Sequence, residues 1–373
     1  MSEDCNMRCS YCYTTHGTFK REVKSKTANW IRILDTVFGR FEIKGIAFFG
    51  GEPLLNIPLI ETICEYARDI GFKGNFSLAT NGLELRKKNT IEIVKRYNIH
   101  LTVSMDGPEE AHDLCSGDIN GKPTYAKVIE GINSLKSHNI PFGLQATYTK
   151  EHFDNGYGLW DIATHLVNLS PIAYYFKPAV SCPLLGCICD THSILKANLD
   201  LSEIYGNYTK MVMQTLLTPK PYYDMGILAV ILRLFKREVP DYVCQQHNTL
   251  TVFGNGDIYP CHMLTHEKFR IGNIYTSNPF EQYEKVTQHL KNLTDARKLI
   301  SRYWTASLQE ICPGAVLQHP EQEELYIEEK LFRAQEAMWE NVIGSIVEFW
   351  EDKTKWNKFI ENLDKIFTPR CYE

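Results

Sequence analysis

Between about residues 40 and 180, short apolar runs alternate with longer amphipathic stretches. KGIAFFG (44–50) reads as a strand and PLIETICEYARDIG (58–71) as the helix after it. NFSLAT (75–80) is the next strand, followed by the helical KNTIEIVKRYNI (88–99). HLTVSMD (100–106) precedes the helical TYAKVIEGINSLKSHN (124–139), and PFGLQATYT (141–149) precedes GLWDIATHLVNL (158–169). AYYFKPAV (173–180) adds one more strand. Strand–helix alternation at this spacing predicts an α/β fold, with a parallel sheet wound by right-handed crossovers into an open sheet or a barrel. In such folds the chemistry sits at the C-terminal ends of the strands.

The loop SCPLLGCICDTH (181–192) breaks this rhythm, and a helical stretch over about 200–237 follows it. In the turn-rich CQQHNTLTVFGNGDIYPCHML (244–264), TLTVF and DIYPC flank GNG, a hairpin signal. The end, about 321–367, is strongly helical, with Trp339, Phe349, Trp350, Trp356 and Phe359 among acids and lysines. It predicts a helical pair packed on the body.

Composition narrows the class. At 44% hydrophobic and 23% charged residues, the 373-residue chain is ordinary and globular, and long enough for a large α/β domain plus a smaller one. Forty basic against 45 acidic residues, without a Lys/Arg run, argue against nucleic acid as the main partner. No apolar stretch approaches the ~20 residues of a bilayer span and no signal peptide is evident, so no membrane role and a cytoplasmic location are expected. Twelve cysteines in a long chain of that kind point to metal or cluster ligation rather than to disulfides.

The cysteines cluster as Cys5/Cys9/Cys12, as Cys182/Cys187/Cys189, and as the pair Cys244 and Cys261; Cys312 and Cys371 stand alone. Cys64 and Cys115 sit in ordinary surroundings and read as packing residues. In EDCNMRCSYCYTTHG, three and then two residues separate the first three thiols, and Tyr11 precedes Cys12. An iron–sulfur cube with four cysteine ligands is coordinatively closed, whereas one with three keeps an iron open. The competing reading is a zinc site completed by His16.

On that C-x3-C-x-aromatic-C pattern the chain resembles the radical S-adenosylmethionine (SAM) superfamily. The resemblance implies a partial (β/α)6, TIM-like barrel. It also implies a 4Fe–4S cluster on Cys5, Cys9 and Cys12, whose open iron chelates SAM. Reductive SAM cleavage then yields a 5′-deoxyadenosyl radical that abstracts hydrogen from a substrate carbon. It places Tyr11 near the adenine. FFGGEP (48–53) follows the first strand: Gly50 and Gly51 permit close backbone approach, Pro53 closes the motif, and Glu52 is expected to offer an anion to the SAM ammonium. Asn81 in ATNG (79–82), with Ser104 and Asp106 in VSMDGP (103–108), falls at the next strand ends and is expected to contact SAM.

From 104 to 132 the text is similar to anaerobic sulfatase-maturing enzymes and peptide-modifying maturases. These often carry an arginine, proposed to hold the SAM carboxylate, where this chain, counting four residues from His112, has Ser116. Residues 244–274 resemble the first half of the seven-cysteine SPASM pattern, but of its second half only Cys312 remains; Tyr303, Ala306 and Val316 stand at the other expected positions. The expectation is at least one auxiliary Fe–S cluster, with ligands drawn from Cys182, Cys187, Cys189, Cys244, Cys261 and Cys312; structural zinc is the rival there. His262 is read as a neighbour of that site.

Three segments follow: a radical SAM barrel (1–180) with a shortened first strand, a bridging and SPASM- or twitch-like segment (181–320), and a helical tail (321–373). The implied activity is modification of a ribosomally made precursor peptide by thioether or carbon–carbon crosslinking or by epimerisation. An external electron donor such as flavodoxin or ferredoxin would reduce the cluster. The alternatives are a sulfatase-type maturase forming formylglycine, and a non-catalytic Fe–S or zinc protein. The sequence identifies no general base.

Overall fold

The computed structural model describes residues 4–12, 27–179, 192–236, 249–262, 267–298, 316–318, 325–327 and 329–367. A short strand β1 (Met7–Cys9) and helix α1 (Thr27–Phe38) precede the regular part. There β2 (Gly45–Phe48), α2 (Ile57–Asp69), β3 (Asn75–Thr80), α3 (Lys88–Arg96) and β4 (His100–Ser104) alternate as expected. An excursion of α4 (Glu109–Cys115) and β5 (Ser116–Asp118) follows, and then α5 (Tyr125–Ser137) leads to β6 (Phe142–Tyr148). Helices α6 (Lys150–Asp154) and α7 (Leu159–Asn168) connect β6 to β7 (Tyr174–Pro178). Helix starts obey local chemistry: Thr149 caps α6 by accepting from the His152 N–H, and Asp161 accepts from the Gly158 N–H at the start of α7.

Strands β2, β3, β4, β6 and β7 pair in that order, all parallel, forming the predicted sheet. The pleat divides their side chains. One face carries Phe76, Leu78, Leu101, Val103, Leu144, Ala146, Tyr174 and Phe176, all buried with Ile60, Val94, Ile132, Leu159 and Leu166 of the covering helices. The other is small and polar: Ser77, Ala79, Thr102, Ser104, Gly143, Gln145, Thr147, Tyr175 and Lys177 remain half-exposed. Each fully buried Leu or Ile contributes on the order of 2 kcal/mol, so the apolar face holds the sheet and leaves the polar face free for chemistry.

Beyond the sheet lie α8 (Leu201–Thr215) and α9 (Met225–Lys236), which split the long helical stretch expected over 200–237. Pro219 and Pro221 lie in the break, where a ring without an N–H cannot continue a helix. The predicted hairpin forms as β8 (Thr251–Val252) and β9 (Asp257–Tyr259), with β10 (Gly272–Asn273) beside β9. Gly256 turns it at φ +87°, which costs a glycine little. Helix α10 (Tyr283–Lys298) and the antiparallel pair β11 (Val316–Gln318) and β12 (Leu325–Ile327) precede the tail. The tail is helical as α11 (Glu329–Glu351) and α12 (Lys353–Phe367), but 325–327 is strand, so helix starts later than the expected 321. Helix α11 packs chiefly on α8, where Gly206 lets Asn341 and Ala337 approach closely.

Met7–Cys9 pairs antiparallel with Ser116–Asp118, so among the described residues β2 is an edge of the parallel sheet. No helix among the described residues is long and apolar enough to cross a membrane.

Candidate active site

The cysteine loop is fastened at the C-terminal ends of β2, β3 and β4. On one side Glu52 N–H donates to the Asp4 carbonyl at 2.9 Å; on the other, Ser10 N–H donates to the Cys115 carbonyl at 2.8 Å. Met7 is buried and pairs with Asp118, while Cys9 pairs with Ser116. Asn6 Oδ1 accepts from Asn81 Nδ2 at 2.7 Å, and Asn6 Nδ2 donates to Glu84 Oε1 at 3.2 Å. The turn closes where Cys12 N–H donates to the Cys9 carbonyl at 3.1 Å.

Donors aim at two of the sulfurs. Cys5 Sγ accepts from the Met7 N–H at 3.4 Å and from Asn81 Nδ2 at 3.8 Å; Cys9 Sγ lies 3.6 Å from Ser116 Oγ. Burial pushes the Cys5 thiol up to about 11, and the burial of Cys9 pushes it further above the ordinary thiol range. These thiols therefore hold their protons until a strong Lewis acid displaces them, which is how metal ligation couples to proton release. Among the described residues no three His, Cys, Asp or Glu side chains converge on a single metal ion. Three thiols on one loop, with N–H and O–H groups turned toward sulfur, fit an iron–sulfur cube, whose sulfur ligands spread over separate corners and are tuned by such hydrogen bonds.

Glu52 is fully buried. Its Oε1 accepts from the Leu54 N–H and from Thr80 Oγ1, each at 2.9 Å, and its Oε2 accepts from the Asn81 N–H at 2.7 Å. It thus caps the short turn begun by the buried Pro53 and ties the end of β2 to the end of β3. Burial raises this carboxyl to about 7 against those three bonds. Gly50 and Gly51 lie half-exposed between β2 and Glu52. Asn81, whose Oδ1 accepts from the Leu83 N–H at 3.1 Å, faces the cysteine loop.

Past β4, Asp106 is fully buried and gathers the loop from the other side. Tyr11 Oη donates to Asp106 Oδ2 at 2.8 Å, Ser116 Oγ stands 2.7 Å from the same oxygen, and the Thr147 N–H donates to Oδ1 at 2.8 Å. His112 is structural: its Nδ1 accepts from the Asp106 N–H at 3.2 Å, so its proton lies on Nε2, 3.1 Å from Thr124 Oγ1. Burial lowers its pKa and keeps the ring neutral. Thr124 Oγ1 in turn donates to the Ser116 carbonyl. Ser104 is engaged across the sheet, where its Oγ accepts from Gln145 Nε2 at 2.8 Å while Gln145 Oε1 accepts from Tyr175 Oη at 2.5 Å. Lys177 Nζ lies 5.4 Å from the Tyr175 ring centroid.

The β8–β9 hairpin reaches this mouth. His262 packs its ring 4.3 Å from that of Phe49, beside Gly50, and burial followed by the Lys177 charge lowers it to about 4. Cys261 is buried. Its expected companions Cys182, Cys187, Cys189, Cys244 and Cys312, like His16, lie outside the described residues.

Sequence reading names Tyr11, Glu52, Asn81 and Asp106, and the fold brings the last three around the loop that carries Tyr11. It missed Thr80, Gln145, Thr147 and Tyr175, and it noted Ser116 only as a departure from a pattern. The signal for Gln145, Thr147 and Tyr175 was their alternation with apolar residues on β6 and β7.

Residues 1–154 match the Radical SAM superfamily. An uncharacterised protein of Methanocaldococcus jannaschii is 31% identical over 67% of this chain and 85% of its own. The serine-type anaerobic sulfatase-maturating enzyme of Bacteroides thetaiotaomicron is 25% identical over 76% of this chain and 73% of its own. The solved structure of native anSMEcpe with bound AdoMet and Kp18Cys peptide superposes with TM-score 0.73 at 19% identity, covering 93% of this chain and 96% of that one. Three thiols on a loop at the parallel strand ends and these likenesses agree: the chain belongs to the radical SAM superfamily.

Proposed function

We propose that this radical SAM enzyme modifies a peptide or protein, using a 4Fe–4S cluster on Cys5, Cys9 and Cys12. Membership of the superfamily implies that cluster and SAM, which when bound supply reductive cleavage and hydrogen abstraction. The observation that carries the reading is the polar sheet face, with the cysteine loop fastened at the strand ends and the Cys261–His262 hairpin at its mouth.

The chain's own residues bind and orient. Gly50 and Gly51 leave backbone open for SAM beside Pro53, while Glu52 holds the β2 and β3 ends rigid. Asn81 steadies Cys5. Tyr11, its hydroxyl anchored on Asp106, would offer its ring to the adenine, and Ser104 and Asp106 would border the cofactor through the β4 end. Gln145, Tyr175 and Lys177 line the remaining face, where a substrate segment would lie. Cys261 would contribute to an auxiliary Fe–S cluster together with ligands from Cys182, Cys187, Cys189, Cys244 or Cys312. We also propose the division into a barrel (1–180), an auxiliary segment (181–320) and a helical tail (321–373), and reduction by a flavodoxin or ferredoxin.

Two outcomes compete for the substrate. Crosslinking or epimerisation of a ribosomally made peptide is supported by the likeness of 104–132 to peptide-modifying maturases, a likeness that stretch shares with sulfatase-maturing enzymes. Formylglycine formation is supported by the sulfatase-maturating relative, aligned over roughly three quarters of both chains. Incubating the reconstituted, reduced enzyme and SAM with sulfatase-derived seryl and cysteinyl peptides decides between them by mass spectrometry. Conversion of either peptide to the aldehyde establishes the maturase reading. SAM turnover that leaves both peptides intact favours the other substrate class.

A further inference from the structure

Ser116 sits where the cysteine loop, the end of β4 and α4 meet, and is 1% exposed. Its Oγ is 2.7 Å from Asp106 Oδ2, 3.2 Å from Tyr11 Oη and 3.6 Å from Cys9 Sγ. A serine hydroxyl has one proton, so these neighbours compete for a single donor. Tyr11 gives its own proton to Asp106 Oδ2, and the Thr147 N–H serves Oδ1. Asp106 therefore keeps two charge-assisted hydrogen bonds without help from Ser116. Among the described residues, Ser116 is the one hydrogen-bond donor near Cys9 Sγ.

The state of the sulfur decides where the proton points. A Cys9 thiol can donate its S–H to Ser116 Oγ, which leaves Ser116 free to donate to Asp106. A metal-bound sulfur has no proton and only accepts, and a hydroxyl showing it a lone pair would be repelled. We propose that in the cluster-bound protein the Ser116 hydroxyl turns from Asp106 to Cys9, and that this bond makes the cluster easier to reduce. Reduction adds one electron and breaks no bond; the added negative charge spreads onto the sulfurs, so a donor at Cys9 stabilises the reduced form more than the oxidised one. The buried Asp106 carboxylate acts in the opposite direction, and Ser116 stands between the two. Ser116 is thus a positioning residue for the cluster. The inference rests on the reading of Cys5, Cys9 and Cys12 as its ligands.

The test is a dithionite titration of the SAM-free, reconstituted protein followed by EPR, with iron content measured on every sample. S116A should shift the one-electron equilibrium about tenfold toward the oxidised cluster, 59 mV more negative. S116T, which keeps the hydroxyl, should stay within about threefold of the unaltered chain. After exchange into heavy water, pulsed EPR should detect a deuteron coupled to the reduced cluster in the unaltered chain and in S116T, and none at that coupling in S116A. Equal potentials in fully loaded S116A and unaltered protein would overturn the proposal alone. If S116A takes up no iron, S116T decides: loss of the potential or of the coupled deuteron in a variant that retains the hydroxyl overturns it. Absence of iron from the unaltered chain would overturn the cluster reading and the proposal with it.

Discussion

Cysteine occurs here in two physical roles that residue type alone does not separate. Cys5 and Cys9 lie on a loop with donors turned to their sulfurs, whereas Cys64 is fully buried within α2 among apolar neighbours. Substituting Cys5, Cys9 or Cys12 by alanine should abolish iron uptake on anaerobic reconstitution, measured as iron per chain. C64A should load iron fully and lose only about 1 kcal/mol of stability. The three-thiol loop was legible in the sequence because its ligands are local, all within eight residues. Ser116 was not, because its contact with Cys9 spans 107 residues of chain and depends on β1 pairing with β5. Glu52 was found as a motif residue, yet its engagement with Thr80 and Asn81 follows only from the register of β2 against β3.

At the scale of elements, the site depends on how closely a helix can approach a strand end. Gly82 follows Asn81 at φ +86°, and α5 reaches it through Gly131, where an added Cβ would lie 2.4 Å from the Gly82 carbonyl oxygen. G131A should therefore push α5 off the β3 end and cost about 1–3 kcal/mol, read as a lower denaturation midpoint. SAM affinity should fall as well, because Asn81 moves with that turn. The alternation of helices with β2, β3, β4, β6 and β7 was readable because each of these strands has one apolar face that the helices cover. The pair β1 and β5 escaped notice: three-residue strands carry too little periodicity to register.

Across the whole molecule, the sheet is joined to the helices beyond it by a buried polar chain. Tyr174 of β7 meets Tyr208 of α8 at 3.0 Å between hydroxyls, and Tyr208 donates to Asp224 Oδ2 at 2.7 Å. Asp224 Oδ1 also accepts from the Gly226 N–H at the start of α9. Burial raises Asp224 from 3.8 to about 6. The folded chain then holds this proton more tightly than the unfolded one. The stabilising effect is present below about pH 4 and is lost as pH rises through about 6, an effect on the order of 3 kcal/mol. Chemical denaturation between pH 4 and 7 should show that fall in the unaltered chain, and D224N, though less stable at low pH, should flatten it.

Radical SAM chemistry on the loop of Cys5, Cys9 and Cys12 underlies the proposed function. Its most direct test is to reconstitute the protein anaerobically, reduce it with dithionite in the presence of SAM, and quantify 5′-deoxyadenosine and methionine. Both products should form in equal amounts from the iron-loaded chain and none from C9A. An iron-loaded chain that forms no 5′-deoxyadenosine would contradict the proposed function.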